Sequence, residues 1–388
     1  MQDFVFHNPT KIIFGKDTEQ NIGEEITKTG KKVLFHYGGG SIKKYGLYNR
    51  VIQSLKAANV QYVELGGVKP NPRLSMVREG IALCRKEKVD TILAVGGGSV
   101  IDSAKAIAVG VKTDTDIWDF FRKKADIKDA LPIGVVLTIP AAGSETSAGA
   151  VVTNTDTKEK LDIGSEIIRP RFAIMNPKIT YTLPRFHTAA GATDIMAHVM
   201  ERYFTTEKEV DFSDRLCEAT LRTIIRHAPY VIEHPKVYGS RAEIMWAGTI
   251  AHNDLLGMGR IEEWTSHPIE HELSGQYDVV HGAGLATVFP AWMLYVYKEN
   301  MPRFIRFATE VWDIEYDPSD PEETALGGIL ALKNFFRKIG MPVSLEDLGV
   351  TDNRYKEMAE GATRFGPLGN VKKLEAKDIE SIFKLMEK

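Results

Sequence analysis

Cysteine is scarce: Cys84 and Cys217 are the only two in 388 residues. Both stand in stretches with helical spacing and share no CxxC pattern, so a disulfide framework or a thiolate metal site is not expected. An excess of one charge is also missing. The 49 Lys and Arg residues stand against 52 Asp and Glu, a formal net charge of -3. With no long single-sign run, neither nucleic acid nor an anionic membrane is an expected partner. The most apolar stretch, AGLATVFPAWMLYVY (283–297), falls short of the ~20 residues that span a bilayer and contains Pro290. The first residues, MQDFVFHNPTKIIFG, lack the basic-then-apolar layout of a signal peptide. These absences lead to the expectation of a soluble cytoplasmic protein.

What is present divides the chain in two. Hydrophobic residues at 43% and charged residues at 26% are those of an ordinary globular protein, and 388 residues exceed one ordinary core. Up to about residue 180, short β-rich runs alternate with helical ones. KKVLFHY (31–37), QYVELGGV (61–68) and TILAV (91–95) each end in glycines or turn residues. Between them, LYNRVIQSLKAAN and LSMVREGIALCRKEK space apolar residues at three and four. PIGVVLTIP (132–140), GAVVTN (149–154) and FAIMN (172–176) are further strand candidates. Strands alternating with helices predict a parallel sheet covered on both faces. Beyond about residue 185 only helical periodicity appears, in TAAGATDIMAHVMERYF and the segments after it. The expected fold is an α/β amino-terminal domain (1–184) with a parallel, Rossmann-like sheet and an all-α carboxy-terminal domain (185–388).

Two glycine loops follow predicted strands: YGGGS (37–41) and VGGGS (95–99), the second running directly into a helix. Bare backbone and a helix start suit a pyrophosphate over Gly96, Gly97, Gly98 and Ser99. Neither loop fits GxGxxG, since Lys43 and Ile101 stand at the third glycine position. Asp102 and Lys105 share one face of the following helix, and an acid there, taken alone, complements the helix dipole. The loop TIPAAGSETSAGAVVTNTDTKEK (138–160) offers Thr138, Ser144 and Ser147, which serve equally well as turn hydroxyls.

Histidines gather farther on. Asp194 and His198 are i and i+4 on one helical face, as are His267 and His271, and His281 follows just before a Gly–Ala–Gly turn. A carboxylate and imidazoles without thiolate suit Fe(II) and Zn(II) alike. Spacing alone leaves both His267/His271 and His267/His281 open as the second ligand pair. The other histidines, His252 among them, have no partner at ligand spacing.

Taken together, GGGSxxDxxK (96–105), GSETSAGAVVT (143–153), DxxxH (194–198) and SHPIEHELSGxYxxxHGxG (266–284) resemble the iron-dependent alcohol dehydrogenase family. YGGGSIKK, GVKPNPR and SHPIEHELS are most similar to its butanol dehydrogenase branch. The resemblance covers effectively the whole chain. It implies the architecture shared with dehydroquinate synthase-like proteins and reversible hydride transfer between a nicotinamide cofactor and primary alcohols or aldehydes. It also implies Fe(II), or Zn(II), held by Asp194, His198, His267 and His281, with His271 beside the metal as a proton relay.

The same resemblance puts the pyrophosphate on Gly96 to Ser99 and Asp102 near the nicotinamide. Asn71, Thr138, Ser144, Ser147 and Lys160 are its further contacts. Gly38, Gly39, Gly40 and Ser41 would face the adenosine ribose, where NAD-preferring relatives often carry an aspartate. That acid is missing here, and Lys43 and Lys44 follow, which implies a preference for NADP(H). A homodimer through FVFHNPTKIIF is implied too. The rival readings are a dehydroquinate synthase-like or glycerol dehydrogenase-like enzyme, and a non-catalytic nucleotide sensor. Trp246, Trp264, Phe289, Trp292 and Tyr295, in place of an Arg and Lys cluster, favour a neutral, partly apolar substrate, although aromatics serve cores equally.

Overall fold

The computed structural model describes residues 1–387. By compactness the chain divides into two units. One comprises His7–Leu183 and Pro235–Met245; the other comprises Met1–Phe6, Pro184–His234 and the chain from Trp246 onward. Met1–Phe6 and Pro235–Met245 thus group with the unit opposite to the one a single cut at 184/185 assigns them.

In the first unit, β1 (Lys11–Phe14), β2 (Lys32–Tyr37), β3 (Gln61–Leu65), β4 (Thr91–Gly96), β5 (Ile133–Leu137) and β8 (Phe172–Met175) form one sheet. Its order is β1-β8-β5-β4-β2-β3, and every neighbouring pair is parallel. Helices α1 (Ile22–Thr27), α2 (Ser41–Lys44), α3 (Leu47–Ala57), α4 (Leu74–Glu87), α5 (Gly98–Val111) and α6 (Ile117–Phe121) lie between strands in sequence. Parallel pairing requires crossovers, and crossovers cover both faces, so central strands have no polar side. VLFHY, TILAVG, IGVVL and FAIM are accordingly buried throughout.

Alternate residues feed two cores. Leu34, Ile92, Ala94, Val135 and Ala173 pack with Ile101, Ala104 and Ile107 of α5. Val33, Phe35, Leu93, Val95, Val136 and Ile174 meet Ile22, Val51 and Leu55 instead. Each such aliphatic side chain contributes roughly 1.5–3 kcal/mol on burial.

This topology selects a ligand position. From β2 the chain moves outward to β3 and then crosses back to β4, so the winding reverses between β2 and β4. Open parallel sheets bind ligands at the carboxyl end of such a switch point. The two loops that emerge there are YGGGS and VGGGS.

One strand expectation needs correction. GAVVTN is β6 (Gly149–Asn154), but it pairs antiparallel with β7 (Glu159–Gly164) in a separate two-stranded sheet. The reversal between them passes through Lys158, with φ 56. β7 escaped the sequence reading because TNTDTKEK reads as one long turn, with no apolar run to mark a second strand.

The other helices are α7 (Arg185–Tyr203), α8 (Asp211–Glu233), α9 (Tyr238–Ala251), α10 (Ser266–Tyr277), α11 (His281–Val296), α12 (Met301–Trp312), α13 (Pro321–Lys338), α14 (Tyr355–Ala362) and α15 (Ala376–Leu385). Among the described residues no strand follows position 184, only an isolated bridge between Leu368 and Leu374. α7 and α11 approach closely where both are small: a Cβ on Gly282 would stand 2.1 Å from the Ala190 carbonyl oxygen. That contact seats the first turn of α11, with His281, against the α7 turn that precedes Asp194.

Candidate metal centre and cofactor loops

Asp194, His198, Glu201 and Arg202 recur at three- and four-residue spacing along α7, so one face carries all four. His267 lies in the first turn of α10 and His271 one turn later, while His281 opens α11. Pro268 is tolerated beside them because first-turn amides have no helical acceptor.

Ligand atoms of Asp194, His267 and His281 all lie within 4.8 Å of one another. His281 Nε2 is 3.8 Å from Asp194 Oδ1. His198 joins this group through its ring, 4.5 Å from that of His267. His271 is not in that triple; it forms another with Glu270 and His281, also within 4.8 Å.

The Nδ1 side of each ring is already engaged. His198 Nδ1 lies 2.9 Å from the Asp194 backbone carbonyl, which can only accept, so this nitrogen carries the proton. His267 Nδ1 lies 2.8 Å from Glu201 Oε1 and His281 Nδ1 faces Glu270 Oε2. A carboxylate or carbonyl on one ring nitrogen leaves the other to a metal. Two atoms show the consequence: among the described residues, buried His267 Nε2 and Asp194 Oδ1 have no hydrogen-bond partner. Asp194 Oδ1 is 3.0 Å from His198 Nδ1, but that N–H is directed at the backbone carbonyl. An unsatisfied buried polar atom costs about 1–3 kcal/mol. A divalent cation answers both, and three imidazoles with one carboxylate fit Fe(II) or Zn(II).

Electrostatics agree. Burial and the neighbouring imidazoles hold His267 well below the usual histidine range, hence neutral. Burial raises the Asp194 carboxyl, but His198 and His281 more than offset it, and the net direction is down. Glu201 is pushed up to about 8 by burial and then by Glu263.

The α/β unit shows a different network. Gly96 ends β4, and α5 starts at Gly98 with Gly97 as its cap. Asp102 accepts from Ser144 Oγ at 2.6 Å and from the Val151 amide at 3.1 Å. Lys105, wholly buried, donates to Ser144 Oγ (3.0 Å), Ser147 Oγ (3.2 Å), the Ser147 carbonyl (2.9 Å) and the Gly149 carbonyl (2.7 Å). Asp102, Ser144 and Ser147, expected to contact a cofactor, are here held by one another and by Lys105, tying α5 to the 143–149 loop. Lys160, also buried, acts on Asp102 as a second cation. Thr138 donates its amide to the Gly96 carbonyl at 2.9 Å, and buried Asn71 adopts φ 53.

At the first loop, a Cβ on Gly39 or Gly40 would meet nothing within 4 Å, and Ser41 is exposed. Lys43 is drawn to aromatic faces, its Nζ 5.3 Å from the Tyr37 ring and 4.9 Å from the Tyr48 ring. Those tyrosines donate to Glu64 at 3.0 and 2.6 Å.

Glu201 and Glu270, which hold ligand rings, have no role assigned by spacing; Lys105, which spacing puts on one helical face with Asp102, is the hub of the α5 network. His252, which has no partner at ligand spacing, lies with its ring 4.4 Å from that of His198, tilted 41° to it. Its partner is distant in sequence, which spacing cannot reveal. Of the aromatics read toward a substrate, Phe289 and Trp292 are fully buried core residues.

Comparison with known proteins follows the same division. Residues 9–177 match the family described as iron-containing alcohol dehydrogenase, and residues 188–386 match the carboxy-terminal part of the Fe-containing alcohol dehydrogenase family. The chain is 45% identical over 384 residues to the probable NADH-dependent butanol dehydrogenase 1 of Bacillus subtilis (strain 168), covering 99% of each. It is 37% identical over 353 residues to the NADPH-dependent aldehyde reductase YqhD of Escherichia coli (strain K12), covering 90% of each. The crystal structure of NADH-dependent butanol dehydrogenase A from Thermotoga maritima superposes with a TM-score of 0.97 at 46% identity, covering 100% of this chain and 99% of that one. The chain belongs to the iron-containing alcohol dehydrogenase family, in its butanol dehydrogenase-like branch.

Proposed function

We propose that this chain oxidises small primary alcohols and reduces the corresponding aldehydes, reversibly, with a divalent metal and NADP(H). The observation that supports it most is the set of engaged Nδ1 atoms, which leaves His198, His267 and His281 offering Nε2 beside the Asp194 carboxylate. When bound, Fe(II) or Zn(II) supplies a Lewis acid for the alcohol or carbonyl oxygen, and the nicotinamide accepts or supplies the hydride. Asp194, His198, His267 and His281 would hold the ion, with Glu201 and Glu270 orienting two of the rings. His271, half-buried one turn beyond His267, would carry the proton between substrate and solvent.

The α/β unit would bind the dinucleotide. Amides at the start of α5 suit the pyrophosphate, and the buried ammonium groups of Lys105 and Lys160 both act on Asp102 beside it. The NADP(H) preference rests on the first loop, where Gly38 to Ser41 provide space, amides and a hydroxyl without a carboxylate to repel a 2′-phosphate. The Bacillus and Thermotoga relatives are named NADH-dependent and the less similar Escherichia coli relative NADPH-dependent, so the names lean against this preference and the loop chemistry alone supports it.

A homodimer belongs to the same reading. Phe4, Val5 and Phe6 are 53%, 89% and 44% exposed, and β1 is an edge strand. Cytoplasmic residence fits Cys84 and Cys217, both free thiols. Among the described residues no helix is long and apolar enough to cross a membrane.

Anaerobic purification with metal analysis and butanol or butanal turnover tests the proposal. His267→Ala should lose metal and activity together, whereas His271→Ala should keep metal and turn over slowly. A metal-free His271→Ala protein beside a metal-loaded His281→Ala protein would reverse the ligand assignment. A kcat/KM for NADH equal to or above that for NADPH would remove the cofactor preference. Light scattering that reads a monomer would remove the dimer.

A further inference from the structure

Trp264 stands two residues before α10, whose first turn carries His267, and its backbone has φ 51. A large side chain rarely adopts that left-handed conformation, and such outliers persist only where their surroundings over-determine them. Here the surroundings are explicit. The indole N–H donates to Glu262, whose other oxygen lies 3.5 Å from Arg202 Nε. The Arg202 guanidinium stands over the indole face, 4.7 Å from its centroid. Arg202 itself is buried and donates to the His198 carbonyl at 2.8 Å. The backbone on either side of the indole is pinned to Glu201. Glu263 donates its amide to the Glu201 carbonyl at 2.7 Å, and the His267 amide reaches Glu201 Oε1 at 3.2 Å.

Held in this way, the indole meets three imidazoles. Its centroid is 5.1 Å from His267 at 61°, 6.0 Å from His198 at 79°, and 5.7 Å from His252 at 51°. Edge contacts of this kind are directional, because the positive ring edge of one partner seeks the negative face of the other. His252 completes the enclosure, its ring 4.4 Å from that of His198 and tilted 41° to it. Nδ1 hydrogen bonds alone leave each ring free to tilt about its bond to the acceptor. The indole removes that freedom for His198 and His267 together.

We propose that Trp264 is a positioning residue of the metal centre, its strained backbone aiming an indole locked by Glu262 and Arg202 against the rings of His198 and His267. The inference rests on the metal reading above. It assigns Trp264 no contact with substrate.

The test is Co(II) titration of the metal-free protein, with a competing chelator for affinity and the visible ligand-field bands for geometry. Trp264→Phe keeps a ring and should bind Co(II) within about threefold of wild type, with the same bands. Trp264→Leu should bind about 10–100-fold more weakly, the range found when groups orienting a metal ligand are removed. Its bands should shift in position or intensity, which lost packing alone would not cause. Wild-type affinity and bands in Trp264→Leu would overturn the proposal. So would Trp264→Phe as weak as Trp264→Leu, which would show that a ring in this place does not itself position the imidazoles. If circular dichroism shows Trp264→Leu unfolded, Arg202→Met removes the clamp and keeps the indole; unchanged bands there overturn the proposal equally. Asp194→Ala separates the two readings. Full Co(II) bands in that variant would refute the ligand assignment itself, whatever Trp264 does.

Discussion

His36 makes the α/β unit sensitive to acid by an amount that can be worked out. Its ring is fully enclosed in β2, with Nδ1 3.0 Å from the Leu65 carbonyl and Nε2 2.7 Å from Ser103 Oγ. The ring thereby joins the ends of β2 and β3 to α5, directly before the first glycine loop. Burial lowers its pKa from 6.5 to about 4, the Leu65 hydrogen bond opposing only in part. The sign follows from which state takes up the proton. Below pH 6.5 the unfolded chain binds one that the folded chain refuses, so the contribution to stability is whole above 6.5. It declines as pH falls and has reached its full loss near pH 4. At about 1.4 kcal/mol per pH unit, the loss by pH 5 is about 2 kcal/mol. His36→Leu removes the titration, at a cost at neutral pH of about 1–3 kcal/mol from the partners left without the ring. Urea unfolding at pH 7 and pH 5, with hydrogen exchange in β2 and α5 peptides, makes the comparison. Wild type should lose about 2 kcal/mol more than His36→Leu over that interval. Because every other histidine is common to both proteins, equal losses would show that burial of this ring does not govern its protonation.

Three further outcomes are expected. Lys105→Met leaves four acceptors without their donor and Asp102 with Lys160 as its remaining cation, so urea unfolding should show a loss of about 3–5 kcal/mol; Lys105→Met with Asp102→Asn should lose less than the two single changes summed. Gly282→Ala forces a methyl to within 2.1 Å of the Ala190 carbonyl oxygen, which should cost about 1–3 kcal/mol in thermal unfolding and weaken metal retention by displacing His281. Glu270→Gln keeps the volume and loses the charge facing His281 Nδ1; metal affinity should fall about 10–100-fold while the melting temperature hardly moves, and an unchanged Zn(II) dissociation constant would show that this carboxylate does not orient the ring.

The parallel sheet was legible because a strand buried on both faces must be written in consecutive apolar residues, and TILAV and GVVL are. β7 was not, because EKLDIG is amphipathic and borders solvent on one side, so its signal is only an alternation inside a polar loop. DxxxH could be seen because a helix converts four residues of sequence into one face. The grouping of Asp194 with His267 and His281 could not, because it depends on Gly282 admitting the Ala190 backbone, a contact across 92 residues of chain that no spacing encodes. For Asp102 the spacing indicates an acid that complements the α5 dipole, and only the fold reveals that it also accepts from Ser144 and the Val151 amide.

The residues that orient the metal ligands were the least legible, for a physical reason. Glu201 is one of 52 acidic residues in the chain, and an acid on a helix is ordinarily solvated. What sets it apart is complete burial and a histidine partner 66 positions away. A buried carboxylate left without a donor would be strongly unfavourable, so its burial and its grip on His267 are one fact. Neither exists until α7 and α10 have packed. The DxxxH pair of such a centre can be read from local periodicity, whereas the rest of its ligand set and the groups that aim it are specified only by tertiary contacts.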